Sequence, residues 1–153
     1  HVTEIGLIRS SLPGYASLAV YPYEKEEIVA ICKPDHPLMQ KGDILDIAQL
    51  ADYPLAVPFD CLDLVRSSFG HRLLAPNISI ITSSNATAIE WARSFGTIAL
   101  ASLTTADFQH IKDLAVKHFS DDNLFITSAF IVNKEYPLSR AARNFLGFHG
   151  VEI

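Results

Sequence analysis

Ile28-Val29-Ala30-Ile31-Cys32-Lys33-Pro34-Asp35-His36-Pro37-Leu38 decides how the chain must be read. Five apolar residues in a row, without alternation, fit a strand covered on both faces. The strand has to stop at Pro34, which has no N–H to give a ladder, and Pro37 keeps a helix from starting at once. Asp35 and His36 are thereby displayed on a rigid corner, which His36 is expected to brace through its ring nitrogens. Towards the N-terminus, Glu4-Ile5-Gly6-Leu7-Ile8 reads as a strand, Pro13-Gly14 as a turn, and Leu18-Ala19-Val20-Tyr21 as a second strand, with Glu26 to Cys32 the third.

Beyond the corner, Asp43 or Asp46 can cap a short helix through Leu50, which Pro54 ends. Leu55-Ala56-Val57 is a short buried strand halted by Pro58. Asp60 is a candidate N-cap for a helix carrying Leu62, Val65 and Phe69 on one face, with Gly70 at its left-handed close. Asn77 to Thr82 alternates as a strand does. Ser83 or Ser84 caps a helix bearing Ala86, Ile89, Ala92 and Phe95, which Gly96 closes. Thr97 to Ala101, Leu114 to Phe119 and Leu124 to Val132 read as strands. A last helix starts at Ser139 with Ala142, Phe145 and Leu146 along one face. Trp91 reads as packing beside an apolar helix face. Strands alternating with helices imply an α/β fold with a largely parallel sheet.

Composition narrows the function. The chain has 153 residues, 49% hydrophobic and 19% charged, enough for a real core. A net charge of −5 argues against this piece gripping nucleic acid alone, since that needs a basic face. No apolar run approaches the ~20 residues that span a bilayer. Cys32 and Cys61 do not make a disulfide framework and read as free thiols, which fits a reducing cytoplasm. The six histidines show no metal-ligand spacing with each other or with the cysteines. Nucleophile elbow, phosphate loop and paired-carboxylate patterns are all missing from the sequence.

The order of these elements resembles the effector-binding domain of LysR-type transcriptional regulators. Glu4 to Ile8 is similar to the family's "D-[IV]-[GA]-[IL]" strand, and Ile28 to Leu38 to its crossover strand and "P-[DE]-H-P-L" corner. Ile44-Leu45-Asp46-Ile47-Ala48-Gln49-Leu50 resembles the "L-x-D-L" helix. Ser83-Ser84-Asn85 with Phe95-Gly96-Thr97-Ile98-Ala99-Leu100 resembles the "S-[SN]-x…G-x-G-I" unit. Pro137-Leu138-Ser139-Arg140-Ala141-Ala142-Arg143-Asn144-Phe145-Leu146 resembles the terminal "P-L-S-P-A-A-R-x-F" helix. Two departures stand out: Gly96 is the only glycine of that "G-x-G", and Ser102-Leu103 replace the usual proline.

The resemblance implies a two-lobed, type II periplasmic-binding-protein-like domain with mostly parallel sheets. Lobe I would comprise residues 1–24 and 127–153, lobe II residues 25–126. Lobe I would be incomplete, as in the distal part of a longer regulator whose DNA-binding domain lies elsewhere. The implied function is sensing a small-molecule effector, a carboxylate by the character of the cleft, in a cytoplasmic homo-oligomer without cofactor, metal, membrane contact or catalysis. The alternative is an extracytoplasmic solute-binding protein of a transport system. The resemblance places three segments at the ligand: Arg9-Ser10-Ser11, Phe59-Asp60-Cys61 and Ser83-Ser84-Asn85, with Ser102 and Thr104 as a weaker fourth. Each has a second reading from its residue type. Arg9 can clamp a carboxylate or sit solvated. Ser83, Ser84 and Asp60 can be simple caps. Cys61 would act as a nucleophile only with a base beside it.

Overall fold

The structure, a computed structural model, describes residues 3–10, 14, 16–104 and 107–153, Ser10 by its backbone alone. The chain divides into two compact units, one formed by His1–Lys25 with Ile126–Ile153 and the other by Glu26–Phe125. The elements run β1 (Gly6–Ser10), β2 (Leu18–Cys32), β3 (Ile44–Leu45), β4 (Leu55–Pro58), α1 (Leu62–Gly70), β5 (Ile78–Thr82), α2 (Asn85–Phe95), β6 (Ile98–Leu103), β7 (Ala115–Phe119), β8 (Phe125–Asn133) and α3 (Arg140–Phe148). Short 3₁₀ turns cover Pro37–Gln40, Ile47–Leu50, Phe59–Cys61 and Asp107–His110.

In the second unit β4 pairs parallel with both β5 and β6, and β3 pairs parallel with β7. β2 runs antiparallel to β6 and β7, so the sheet is mixed. Every residue of β6 is buried, as a strand covered on both faces requires. On one face Val29, Ile31, Ala56, Ala99 and Ala101 pack against Ala88, Ile89 and Ala92 of α2. Small residues on both sides let the helix lie close to the sheet. Ile28, Ala30, Val57 and Leu100 have the other parity and are equally buried, as are Val65 and Phe69 of α1. In the first unit β1 pairs antiparallel with β8, and β8 lies between β1 and β2. Its core joins Phe130 and Val132 to Leu146, bordered by Ile5, Ala19, Tyr21, Leu138 and Val151.

The double-proline corner forms as the sequence demands. His36 caps the Pro37–Gln40 turn, its Nδ1 accepting from the Leu38 N–H at 3.0 Å. Asp46 caps the Ile47–Leu50 turn and Gln49 reaches back to the Asp46 N–H, a reciprocal capping box. Cys32 and Cys61 are free and fully buried.

Four local expectations change. The strands expected at Leu18–Tyr21 and Glu26–Cys32 are one strand, β2. Pairing with β6 begins only at Glu27, so residues 18–25 have β8 on one side and, among the described residues, no strand on the other. An edge tolerates Pro22 and a run of charges that a central strand would not. Asp60 does not cap α1, because the Phe59–Cys61 turn feeds straight into it and Cys61 holds the cap position without a side-chain bond. Gly70 is not the left-handed close. The chain turns on past it to Leu73, at φ 57°, where the Leu74 N–H donates to the Phe69 carbonyl at 3.1 Å. Arg72 fixes that extra turn with three bonds of 3.1–3.2 Å to the Asp46 carboxylate. Phe145, expected on the buried face of α3, is 46% exposed, whereas Leu146 is fully buried.

Candidate functional site

Three adjacent parallel strands, in the order β6, β4, β5, end at Leu103, Pro58 and Thr82. Ligands of open α/β sheets bind outside such carboxyl ends, where the following loops and helix N-termini converge. The second unit therefore gathers seven of the sequence-derived candidates at one sheet end: Phe59, Asp60 and Cys61 after β4, Ser83, Ser84 and Asn85 after β5, and Ser102 near the end of β6.

Two of these are joined directly. The Asn85 Nδ2 donates to the Ser102 carbonyl at 2.7 Å and to its Oγ at 3.3 Å, while Oδ1 accepts from the Ser102 N–H at 3.3 Å. The carboxamide thus pairs with a peptide group as a neighbouring strand would, tying the start of α2 to the end of β6. Ser84 caps α2, its Oγ accepting from the Thr87 N–H at 3.2 Å and sharing a 3.0 Å bond with the Thr87 hydroxyl. Thr82 donates to the Ser84 carbonyl at 2.9 Å, which fixes the bend between β5 and α2. At the far end Gly96 takes φ 68°, so α2 is capped at both termini. Thr104 is held by Asp107, whose Oδ2 accepts from its N–H and its hydroxyl, both at 2.8 Å.

Accessibility separates the group. Phe59 is 73% exposed and presents a bare ring, while Ser83 and Ser84 are exposed as well. Asn85 and Asp60 are half-buried. Ser102 is 1% exposed, and Cys61 is fully buried with its Sγ 3.6 Å from the Asp60 Oδ1. A thiol closed off from solvent beside a carboxylate is a poor nucleophile. Arg9 and Ser10 lie in β1 of the first unit, Arg9 opposite Ser128. Ser11 lies outside the described residues.

Burial pushes the Cys32 thiol up, Lys117 opposing and Asp35 adding to it, and burial holds His36 below its usual value. Lys117 was missed in the sequence. Its ammonium, 2% exposed as a residue, donates to the Lys41 and Gly42 carbonyls at 2.7 and 3.0 Å. Parity along Ala115-Val116-Lys117-His118-Phe119 was the available signal, since Lys117 shares the inward positions with Phe119. Glu4 was also missed: its carboxylate accepts from the Ser139 N–H at 2.6 Å and the Ser139 hydroxyl at 3.0 Å, bracing the start of α3. Among the described residues no cluster of three or more His, Cys, Asp or Glu could hold a metal ion, and no helix is long and apolar enough to cross a membrane.

A family model described as the LysR substrate binding domain matches residues 4–149. A search of curated protein sequences finds no match. Among solved structures, the effector binding domain of QuiR in complex with shikimate superposes with a TM-score of 0.80 at 19% identity, covering 95% of this chain and 69% of that one. The C-terminal domain of a probable LysR family transcriptional regulator from Rhodococcus sp. RHA1 gives 0.76 at 19% identity, over 97% and 74%. Full-length CbnR complexed with its target DNA gives 0.72 at 17% identity, and this chain spans 49% of its length.

Proposed function

The chain belongs to the family of LysR substrate binding domains, the effector-binding part of LysR-type transcriptional regulators, and on that premise we propose that it senses a small polar molecule for a longer, DNA-binding protein. The observation that carries the reading is the junction of Asn85 with Ser102 at the ends of three parallel strands. On this reading the α2 N-terminus, the Ser83 hydroxyl and the exposed Phe59 ring, which all follow the carboxyl ends of these strands, would form the binding face. A carboxylate is the group this arrangement would hold, because the first N–H groups of α2 point outward with the positive end of the helix dipole. Phe59 would cover an apolar part of the same molecule. Asp60 opposes a second negative charge, which favours a monoanion over a dianion.

Binding here would act by shifting a pre-existing equilibrium, in keeping with a regulatory domain. The protein is proposed to work in the cytoplasm as a homo-oligomer, in keeping with its family. Shikimate, the ligand in the QuiR complex, and other small hydroxylated carboxylates can be titrated calorimetrically and by amide chemical shifts. Shifts at 59–61, 83–85 and 102 are expected. Ser83→Ala should weaken the binder by about fivefold, the worth of one hydrogen bond, with the melting midpoint kept. Binding that ignores Ser83→Ala and Phe59→Ala, or shifts confined to other residues, would refute the site.

A further inference from the structure

We propose that the chain pairs with a second copy of itself through the free edge of β1, the two strands running antiparallel about a two-fold axis at Leu7 and joining their sheets. β1 stands at the end of the strand order, bonded to β8 on one side and, among the described residues, to no strand on the other. Alternate N–H and C=O groups along Gly6–Ser10 therefore face outward as an open ladder. The proposal concerns association alone and does not depend on the effector reading of the second unit.

This edge lacks the usual protection. Natural edges carry proline, charges or bulges that turn other strands away. The free side of β2 is guarded in that way, with Pro22, Glu24 and Lys25 among residues 18–25. β1 has no proline, pairs with β8 in unbroken register, and holds Arg9 as its one charge. It also lies close against β8, since a Cβ at Gly6 would stand 2.8 Å from the Ile131 Cγ1. Leu7 is 64% exposed, although it shares a face with its ladder partner Phe130, which is 5% exposed in the core. A large apolar side chain thus sits at an open edge, on the apolar side of the sheet.

Self-complementarity selects a copy of this chain as the occupant. A two-fold axis perpendicular to the sheet keeps the side chains of both copies on their own faces, so each residue meets one of its own parity. With Leu7 on the axis, it meets the Leu7 of the copy, and Ile5 of each chain meets Arg9 of the other. The Arg9 stems then cover Ile5 while their charges reach solvent. The two Arg9 positions lie about 14 Å apart along the strands, beyond the ~8 Å over which charges act in physiological salt. Centring on Ile8 would halve that separation and set Arg9 against Leu7. Centring on Gly6 would place no side chain on the axis.

The test is the association of the 153-residue chain. Between about 1 and 100 µM its sedimenting mass should rise from 16.9 kDa towards twice that, because a single strand pair makes a small, weak interface. Leu7→Lys, which adds a guarding charge at an exposed position, should stay monomeric over that range with the melting midpoint kept. Leu7→Cys should crosslink to its copy with diamide, since facing residues of an antiparallel pair lie about 4.5–5.5 Å apart at Cα, within disulfide reach. Cys32 and Cys61 are fully buried and should stay silent. Ile5→Cys and Arg9→Cys should each fail to crosslink alone and succeed when mixed. Should Leu7→Lys lower the midpoint, the crosslinks decide. A monomer at every concentration, a dimer that survives Leu7→Lys, or crosslinking of Ile5→Cys alone as fast as Leu7→Cys would overturn the proposal. A dimer that survives Leu7→Lys would keep the homo-oligomer of the proposed function and move it to another surface, so the two fail separately.

Discussion

Truncating Leu146 to Ala should destabilise the first unit more than truncating Phe145, although the phenylalanine is the larger side chain. Leu146 is fully buried against Phe130 and Val132, and its carbonyl accepts from the His149 and Val151 N–H groups at 3.0 Å each, which holds its backbone in place. A site so fixed cannot collapse around a smaller side chain, so the loss should approach about 3 kcal/mol, the transfer cost plus a cavity. Phe145 is 46% exposed and meets Phe130 edge-on at 5.6 Å and His149 at 4.7 Å. Its truncation removes about half a ring's burial and an aromatic contact, for roughly 1–2 kcal/mol. With a urea slope of about 1–3 kcal/mol per molar, Leu146→Ala should lower the midpoint by ~1 M or more and Phe145→Ala by about half of that. Far-UV circular dichroism is the suitable signal, because Trp91 belongs to the other unit and its fluorescence would report on that one. A midpoint loss for Phe145→Ala equal to or above that of Leu146→Ala would refute the claim that exposure, and not side-chain size, sets the ranking.

The His36 corner should make stability depend on pH. Burial lowers its folded value, so the unfolded chain takes up the proton first, near pH ~6.5, and stability present above that pH is lost as pH falls through the window below it. His36→Asn, which keeps a short acceptor for the Leu38 N–H, should flatten that part of a urea-midpoint profile, and an unchanged slope would count against the assignment. Lys117→Met strips a buried donor from the Lys41 and Gly42 carbonyls and should cost about 1–3 kcal/mol, with faster amide exchange at His118, whose N–H donates to the Asp43 carbonyl. A parental midpoint would show that the ammonium contributes nothing net. Cys32 and Cys61, both 0% exposed, should resist an aromatic disulfide reagent in the native state and react together in denaturant. Rapid native labelling of Cys61 would mean that its side of the site is open.

Local chemistry carried much of the fold into the sequence. Ser84, Gly96 and Ser139 mark helix ends through groups that act within four residues, so their capping roles are legible without a partner. The same holds for the turn at Pro37 and the box between Asp46 and Gln49. What escaped depends on neighbours far along the chain. Pro22 reads as a break until one knows that residues 18–25 form an edge. Gly70 reads as a helix close until Arg72 is seen bound to Asp46, 26 residues away. Asp60 looks like a cap because a 3₁₀ turn and a helix start call for the same residue types, and only the backbone after Pro58 chooses between them.

The candidate site divides along the same line, with a consequence for how it recognises anything. Ser83-Ser84-Asn85 was visible as a polar helix start, and Ser102 only as a weak addition. Their union depends on β6 lying beside the start of α2, which no 17-residue separation announces. Once joined, Asn85 has given its carbonyl oxygen and its amide to Ser102, and Ser84 has given its oxygen to Thr87. The side chains that look most like ligand contacts are therefore the ones already spent on geometry. Under the proposed function, recognition would fall to what they leave uncommitted, the Ser83 hydroxyl, the Phe59 ring and the Asn85 and Ala86 N–H groups. Backbone donors held still by side-chain bonds are well suited to a sensor, because the reorganisation they require on binding is small.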